Sequence, residues 1–196
     1  MTNLSDKRAR AIVTGAVTGL CAASAEASAR RGASVMMADV SAELGEATAA
    51  SFCEQGLKLA IVAHDAADAD QWKSDFHQAE SLFGTVNVLV NNTGINLAKT
   101  IEDLSAHEFR QVIEINLIGC FLDVKKAIQR MKKAGGGSIV NIASNSTQNV
   151  VPLTAPYCPA KAAIANLTKV AAIHYAANDM TSASIPYIRA RSKPIC

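Results

Sequence analysis

Short, mostly apolar runs alternate along this chain with longer amphipathic stretches, and glycine or a small polar residue marks most of the changes. Ala11-Ile-Val, Ser34 to Ala38, Leu57 to Ala63, Val86 to Val90 and Ser138 to Ala143 read as strands buried on both faces. Between them, Leu20 to Arg31, Ser41 to Gln55 and Asp70 to Phe83 are rich in helix formers and stop at Gly32, Gly56 and Gly84. Ser105-x-x-Glu108 is a capping box, and it predicts a long helix running to about Lys133, closed by Gly135-Gly-Gly. A last helix is expected from near Tyr157 to about Ala177. Strands alternating with helices predict an α/β protein: a doubly wound parallel sheet in three layers, α/β/α. No internal repeat or linker divides residues 1–196, so a single domain is expected.

Composition narrows the function classes. Hydrophobic residues make up 49% of the 196 and charged residues 18%, which suits a packed globular core. The net charge of +2 comes without a basic run, and aromatics are only 5%, so neither an electrostatic footprint nor a stacking surface for nucleic acid is present. No uncharged apolar stretch reaches membrane-spanning length, and the polar first ten residues lack a signal core. Cys21, Cys53, Cys120, Cys158 and Cys196 are scattered, with no C-x-x-C. His64, His77, His107 and His174 are isolated from one another, so no metal site is expected. A reducing, cytoplasmic setting is the expectation.

Candidate chemistry sits where strands end. Thr14-Gly15-Ala16-Val17-Thr18-Gly19 joins a strand to a helix, and glycines there let main chain approach a diphosphate at a helix N-terminus. Asp39 ends the second strand, where an acid would hydrogen-bond ribose hydroxyls; the lesser alternative is a cap of the next helix. An acid there repels the extra phosphate of NADP, and no Lys or Arg lies in the turn or directly after Asp39, so NAD is the expected cofactor. Tyr157 and Lys161 stand four apart, on one face of a helix, where an ammonium favours phenolate and readies a phenol for proton transfer. Taken alone, that spacing is also what a solvated helix face produces.

The ordered set T-G-A-V-T-G, Asp39, Asp65, N-N-T-G at Asn91 to Gly94, Asn116, Ser144 and Y-C-P-A-K at Tyr157 to Lys161 resembles the short-chain dehydrogenase/reductase family in its single-domain form. The resemblance runs from about Arg8 to Ala177, with residues 178–196 a divergent tail. It implies a Rossmann-like fold and NAD-linked hydride transfer between nicotinamide and a secondary alcohol or ketone. Gly15, Thr18, Gly19 and Leu20 would line the diphosphate, Asp39 the adenine ribose, Asp65 and Ala66 the adenine ring, and Asn91 and Gly94 the floor of the cofactor site. Tyr157 would exchange a proton with the substrate oxygen, and Lys161 would lower the Tyr157 pKa and bind the nicotinamide ribose. Ser144 would polarise the carbonyl, and Asn116 would hold a relay water. The helices at 105–133 and 157–177 resemble the pair that such proteins pack between subunits, which implies a homodimer or homotetramer. Val112, Ile115, Ile118 and Phe121 recur there at roughly helical spacing.

The chain departs from the family pattern at named places. Cys21 stands where a third glycine is usual, and is expected to crowd the helix against the sheet or the diphosphate. Thr93 replaces alanine and adds a hydroxyl that needs a partner if buried. Pro159, with Pro156 before it, predicts that the last helix begins close to Tyr157 or is kinked there. After Ala177, Ser184-Ile185-Pro186-Tyr187-Ile188 faintly resembles the end of a sixth strand or is equally an unrelated tail, and no substrate lid or final strand is expected. The alternative function is therefore a shortened, non-catalytic relative that binds NAD weakly or acts only through oligomerisation.

Overall fold

The structure is a computed structural model that describes residues 9–176 and 180–185. Six parallel strands form one sheet: β1 (Arg10–Thr14), β2 (Ser34–Asp39), β3 (Leu59–Ala63), β4 (Val88–Asn91), β5 (Gly137–Ile142) and β6 (Met180–Ile185), in the order β3-β2-β1-β4-β5-β6. The connecting helices are α1 (Gly19–Arg30), α2 (Ala42–Glu54), α3 (Gln71–Phe83), α4 (Ala106–Ile113), α5 (Gly119–Lys133) and α6 (Tyr157–Tyr175).

Alternation along the strands sorts side chains to two cores. Ala11 and Val13 of β1, Val35 and Met37 of β2, and Val88 and Val90 of β4 pack with Cys21, Ala25 and Ala29 of α1 and Ala49 of α2. Ile12, Met36 and Leu89 point the other way, toward Trp72 and Phe76 of α3, Val124 and Met131 of α5, and Ile164 of α6. This is the doubly wound three-layer arrangement that the sequence predicts. The strand order turns back between β1 and β4, which opens a crevice at their C-terminal ends.

Three differences from expectation stand out. The long helix from Ser105 is interrupted by a π-helical turn at Glu114–Ile118, between α4 and α5. One extra residue in a helical turn re-aims the side chains on either side of it, and such bulges gather at functional sites. The four apolar positions noted above do not share a face. Steps of three residues drift around a helix, so Val112 is fully buried while Phe121 is 44% exposed. The buried stripe of α5 is instead Cys120, Asp123, Val124, Ala127, Ile128 and Met131.

The third difference is β6. Met180–Ile185 lies parallel to β5 along its whole length, so a sixth strand is present and Ser184-Ile185 form its end. Pro186 and the residues after it, where the Pro-Gly turn and lid of the family would come, lie outside the described residues. The capping box forms as predicted: Ser105 Oγ accepts from Glu108 N–H, and Glu108 Oε2 accepts from Ser105 N–H. α6 starts at Tyr157, so Pro159 falls in the first turn, where its missing N–H costs nothing.

Candidate active site at the C-terminal ends of the strands

Five of the residues singled out above lie at the C-terminal ends of strands: Gly15 after β1, Asp39 closing β2, Asp65 after β3, Asn91 closing β4 and Ser144 after β5; Asn116 and the Tyr157–Lys161 pair sit on helical segments. The glycine turn leans on the loop after β4. The fully buried Thr14 Oγ1 accepts from Asn92 N–H and Thr93 N–H at 3.1 and 3.2 Å. Gly15 adopts φ +62°, and a Cβ there would stand 3.1 Å from Asn92 Nδ2 and 3.2 Å from Thr93 Cα. Gly19 has φ +60° with nothing within 4 Å of an added Cβ, so open space adjoins the start of α1. Thr18 precedes that helix with no side-chain cap bond, and Leu20 is exposed. Thr93 is half-buried rather than buried, and its hydroxyl is not among the buried polar atoms left unpaired.

Asp39 faces the turn. Its Oδ2 accepts from Val17 N–H at 3.3 Å and its Oδ1 from Ser41 N–H at 3.1 Å. The N-cap of α2 is Ser41, so Asp39 does not cap that helix. Asp65 is exposed, and its Oδ1 accepts from Ala67 N–H. Ala66 is buried with its main chain against Gly119, where an added Cβ would lie 3.0 Å from Ala66 O. A cavity of about 370 Å³ opens beside this loop, lined by Asp65, Ala67, Arg110, Gln111 and Ile115 among others.

On the other side of the crevice, Gly94 is the meeting point. A Cβ on it would stand 3.2 Å from Asn116 Oδ1 and 3.4 Å from Lys161 Nζ. Asn116 lies in the π turn, fully buried, and grips Ile95 by both main-chain groups: Ile95 N–H donates to Oδ1 at 2.7 Å and Nδ2 donates to Ile95 O at 2.9 Å. Lys161 is buried; its Nζ donates to Ile142 O at 2.9 Å and lies 5.7 Å from the centre of the Tyr157 ring. Burial pulls the Lys161 ammonium below its ordinary pKa. Tyr157 itself is half-buried. Ser144 follows β5 and caps the short turn Asn145–Thr147; its Oγ accepts from Ser146 N–H at 3.2 Å, which leaves the hydroxyl proton free to donate elsewhere.

Asn91 is held from below the crevice, and Cys21 plays a different part from that expected. Asn91 is buried and donates to Asn141 Oδ1 at 2.7 Å, its register partner on β5, and Asn141 Nδ2 donates to Thr168 Oγ1 of α6 at 2.8 Å. These bonds tie β4, β5 and α6 together. Cys21 does not reach into the crevice. It is 3% exposed within the α1–α2 core, and burial, partly offset by the Lys161 ammonium, pushes its thiol up to about 12.

Sequence reasoning missed two groups. One is the Asn141–Thr168 bond, whose signal is a polar residue at the middle of an apolar strand. The other is a buried pair, His64 Nδ1 and Asp75 Oδ2 at 2.7 Å, with the His64 ring edge-on to Trp72 at 4.2 Å. Among the described residues no group of three or more His, Cys, Asp or Glu could hold a metal, and no helix is long and apolar enough to cross a membrane.

Comparison with known proteins agrees with this arrangement. The family described as short chain dehydrogenase matches residues 9–186. The trans-4-hydroxycyclohexanecarboxylate dehydrogenase of Sinomonas cyclohexanicum is 37% identical over 88% of this chain and 70% of its own. The NADP-dependent (R)-specific alcohol dehydrogenase of Lentilactobacillus kefiri is 36% identical over 86% of this chain and 67% of its own. The 3beta-hydroxysteroid dehydrogenase of Mediterraneibacter gnavus is 34% identical over 89% of this chain and 63% of its own. The chain thus spans about two thirds of the length of these curated relatives. With the fold, the glycine turn and the ordered motifs all in place, the chain belongs to the short-chain dehydrogenase family, whose members are oxidoreductases that use NAD(P).

Proposed function

We propose that this protein is an NAD-dependent oxidoreductase that interconverts a secondary alcohol and a ketone. The observation that carries the reading is the meeting of Gly94, Asn116, Lys161 and Tyr157 across the crevice from the glycine turn. NAD suits the residues present. The open space at Gly19 would take the diphosphate at the start of α1, with Gly15, Thr18 and Leu20 beside it. Asp39 would meet the adenine ribose, Asp65 and Ala66 the adenine, and Gly94 leaves room over the floor above the buried Asn91. When bound, NAD supplies the hydride chemistry.

The rest is done by this chain. Tyr157 Oη passes a proton to or from the substrate oxygen, and Lys161 holds a positive charge beneath the Tyr157 ring. Ser144 donates its free proton to the same substrate oxygen. Asn116 fixes the Ile95 main chain and so the wall beside Gly94. Asp39 favours NAD over NADP because a second anion would face it, and the residue after it is Val40. The relatives named for hydroxycyclohexanecarboxylates and a hydroxysteroid support a ring-bearing secondary alcohol as substrate. Exposed Phe121, Val170 and Ile173 on α5 and α6 support a homodimer or homotetramer through these helices. The free thiols at Cys21, Cys53, Cys120 and Cys158 fit a cytoplasmic setting.

The test follows nicotinamide absorbance with NAD or NADP over a panel of cyclic secondary alcohols. Turnover with NAD is expected, and Tyr157→Phe should reduce it by about 10²–10⁴-fold while leaving NADH fluorescence titration unchanged. NADH binding without turnover on any alcohol would favour the non-catalytic relative; a preference for NADP would remove Asp39 from the argument.

A further inference from the structure

Among the described residues β3 is the outermost strand on its side of the sheet, so its end is held in the ladder by β2 alone. The register stops at Ala63, opposite Asp39. One further bond continues it: His64 N–H donates to Asp39 O at 2.9 Å. His64 therefore stands between two acids, bonded to the main chain of Asp39 and followed directly by Asp65. Its own side chain is only 1% exposed, so it is not placed to meet a ligand itself.

Helix α3 grips this junction at two points. His64 Nδ1 and Asp75 Oδ2 share a proton across 2.7 Å, with both side chains buried. Nε2, on the far side of the ring, has no hydrogen-bond partner, so Asp75 is the ring's polar anchor. Trp72 packs edge-on against the ring at 4.2 Å. One turn earlier on α3, Gln71 Oε1 accepts from Asp65 N–H at 2.9 Å. Residues 71 and 75 are four apart and share a helix face, and they hold the consecutive residues 65 and 64. From the other side, the main chain of Ala66 packs on Gly119. Asp65 is thereby set at the rim of the cavity of about 370 Å³.

Apolar residues of similar volume often stabilise a buried position as well as a buried polar pair does. What the pair adds is direction, because a hydrogen bond fixes both distance and angle.

We propose that His64 is a positioning residue for the adenosine half of the cofactor, acting through Asp39 and Asp65, with Asp75 as its anchor. The inference rests on the reading of those two acids as the ribose and adenine contacts of an NAD site. A small turn of the end of β3 moves both acids at once. The nicotinamide end, on the side of Gly94, Asn116 and Lys161, is untouched by it. The pair therefore governs how well the cofactor is held, and not the rate of hydride transfer once it is held.

The experiment measures AMP affinity by calorimetry and NADH affinity by fluorescence titration on the full chain, well below the melting point of each variant. His64→Leu is expected to weaken both about tenfold and, with an alcohol that turns over, to raise the KM for NAD by the same factor at unchanged kcat. His64→Asn, whose amide nitrogen falls near the place of Nδ1, should recover most of the loss. Joining His64→Leu to Asp75→Leu should cost no more than the worse single change, since the two side chains act as one unit. Gln71→Ala removes the outer grip without entering the core, and should weaken AMP binding several-fold. Phe76→Leu, a core change on the same helix, should lower the melting point and leave AMP affinity within about twofold. If the unaltered protein binds neither AMP nor NADH, the cofactor reading is overturned and this inference with it. AMP affinity untouched by His64→Leu, or by Gln71→Ala where His64→Leu opens the fold, or weakened equally by Phe76→Leu, would overturn this inference alone.

Discussion

On the face of the sheet covered by α1 and α2, the buried core is alanine and valine with Met37, Leu59 and one thiol, and Phe52 packs at its edge. What reaches the crevice from that side is mostly main chain: Gly15, Val17 N–H and the open space at Gly19. On the face covered by α3, α5 and α6, Trp72, Phe76 and Met131 share the interior with buried polar groups: His64, Asp75, Asp123, Asn141, Thr168 and Lys161. What reaches the crevice from there is side chain. A site built of main chain depends on backbone angles and tolerates changes in nearby side chains. A site built of buried side chains depends on every partner being present, because each orphaned polar group retains its full desolvation cost.

The contrast breaks most readily at Asn116. Asn116→Leu leaves the Ile95 N–H and C=O without their partner, and each should cost about 1–3 kcal/mol, read as a lower midpoint in urea. If stability is unchanged, the side-chain half of the comparison is wrong. Gly15→Ala comes next. The left-handed φ costs an ordinary residue about 1–2 kcal/mol, and the new Cβ meets Asn92 and Thr93. NADH affinity by fluorescence titration should fall together with stability.

Asp123 gives a pH-dependent test of the polar face. Burial first, then the nearby Asp75, raise its carboxyl well above the usual range. At low pH the group is protonated both folded and unfolded. As pH rises past the ordinary carboxylate value, the unfolded chain releases this proton while the folded chain still holds it, so stability falls by up to about 1.4 kcal/mol per pH unit until the folded group ionises. Asp123→Asn should flatten that slope in thermal melts taken from pH 5 to 8. The smallest effect is reserved for the opposite face. Cys21→Ala should lower stability on the order of 1 kcal/mol and leave NADH affinity within about twofold, since the thiol stays inside the core.

The same contrast explains what could be read from the sequence. The first five strand segments, the helix stops and the Ser105–Glu108 box follow from local periodicity and turn chemistry, and these lie close to where they were expected. Glycines 32, 56 and 84 end or follow helices with positive φ. The Asp39 position was legible, but its partner was not, because Val17 N–H lies 22 residues away. The π turn left no mark, since a single inserted residue hardly disturbs an apolar pattern. β6, Met-Thr-Ser-Ala-Ser-Ile, is too weakly apolar to announce itself and depends on β5 for its pairing. The His64–Asp75 and Asn141–Thr168 bonds join distant elements, which residue spacing alone does not encode.

β5 carries a further implication. Ile139 and Asn141 are buried toward α5 and α6, whereas Ser138, Val140 and Ile142 are only half-buried on the α1–α2 side. Ile142 therefore serves two masters: its side chain is half-buried among the described residues of the α1–α2 side, and its carbonyl holds the Lys161 ammonium. Anything that settles on that side and anything that engages Lys161 act on one residue. Thermodynamic linkage then makes their affinities reciprocal, each raising or lowering the other by the same factor.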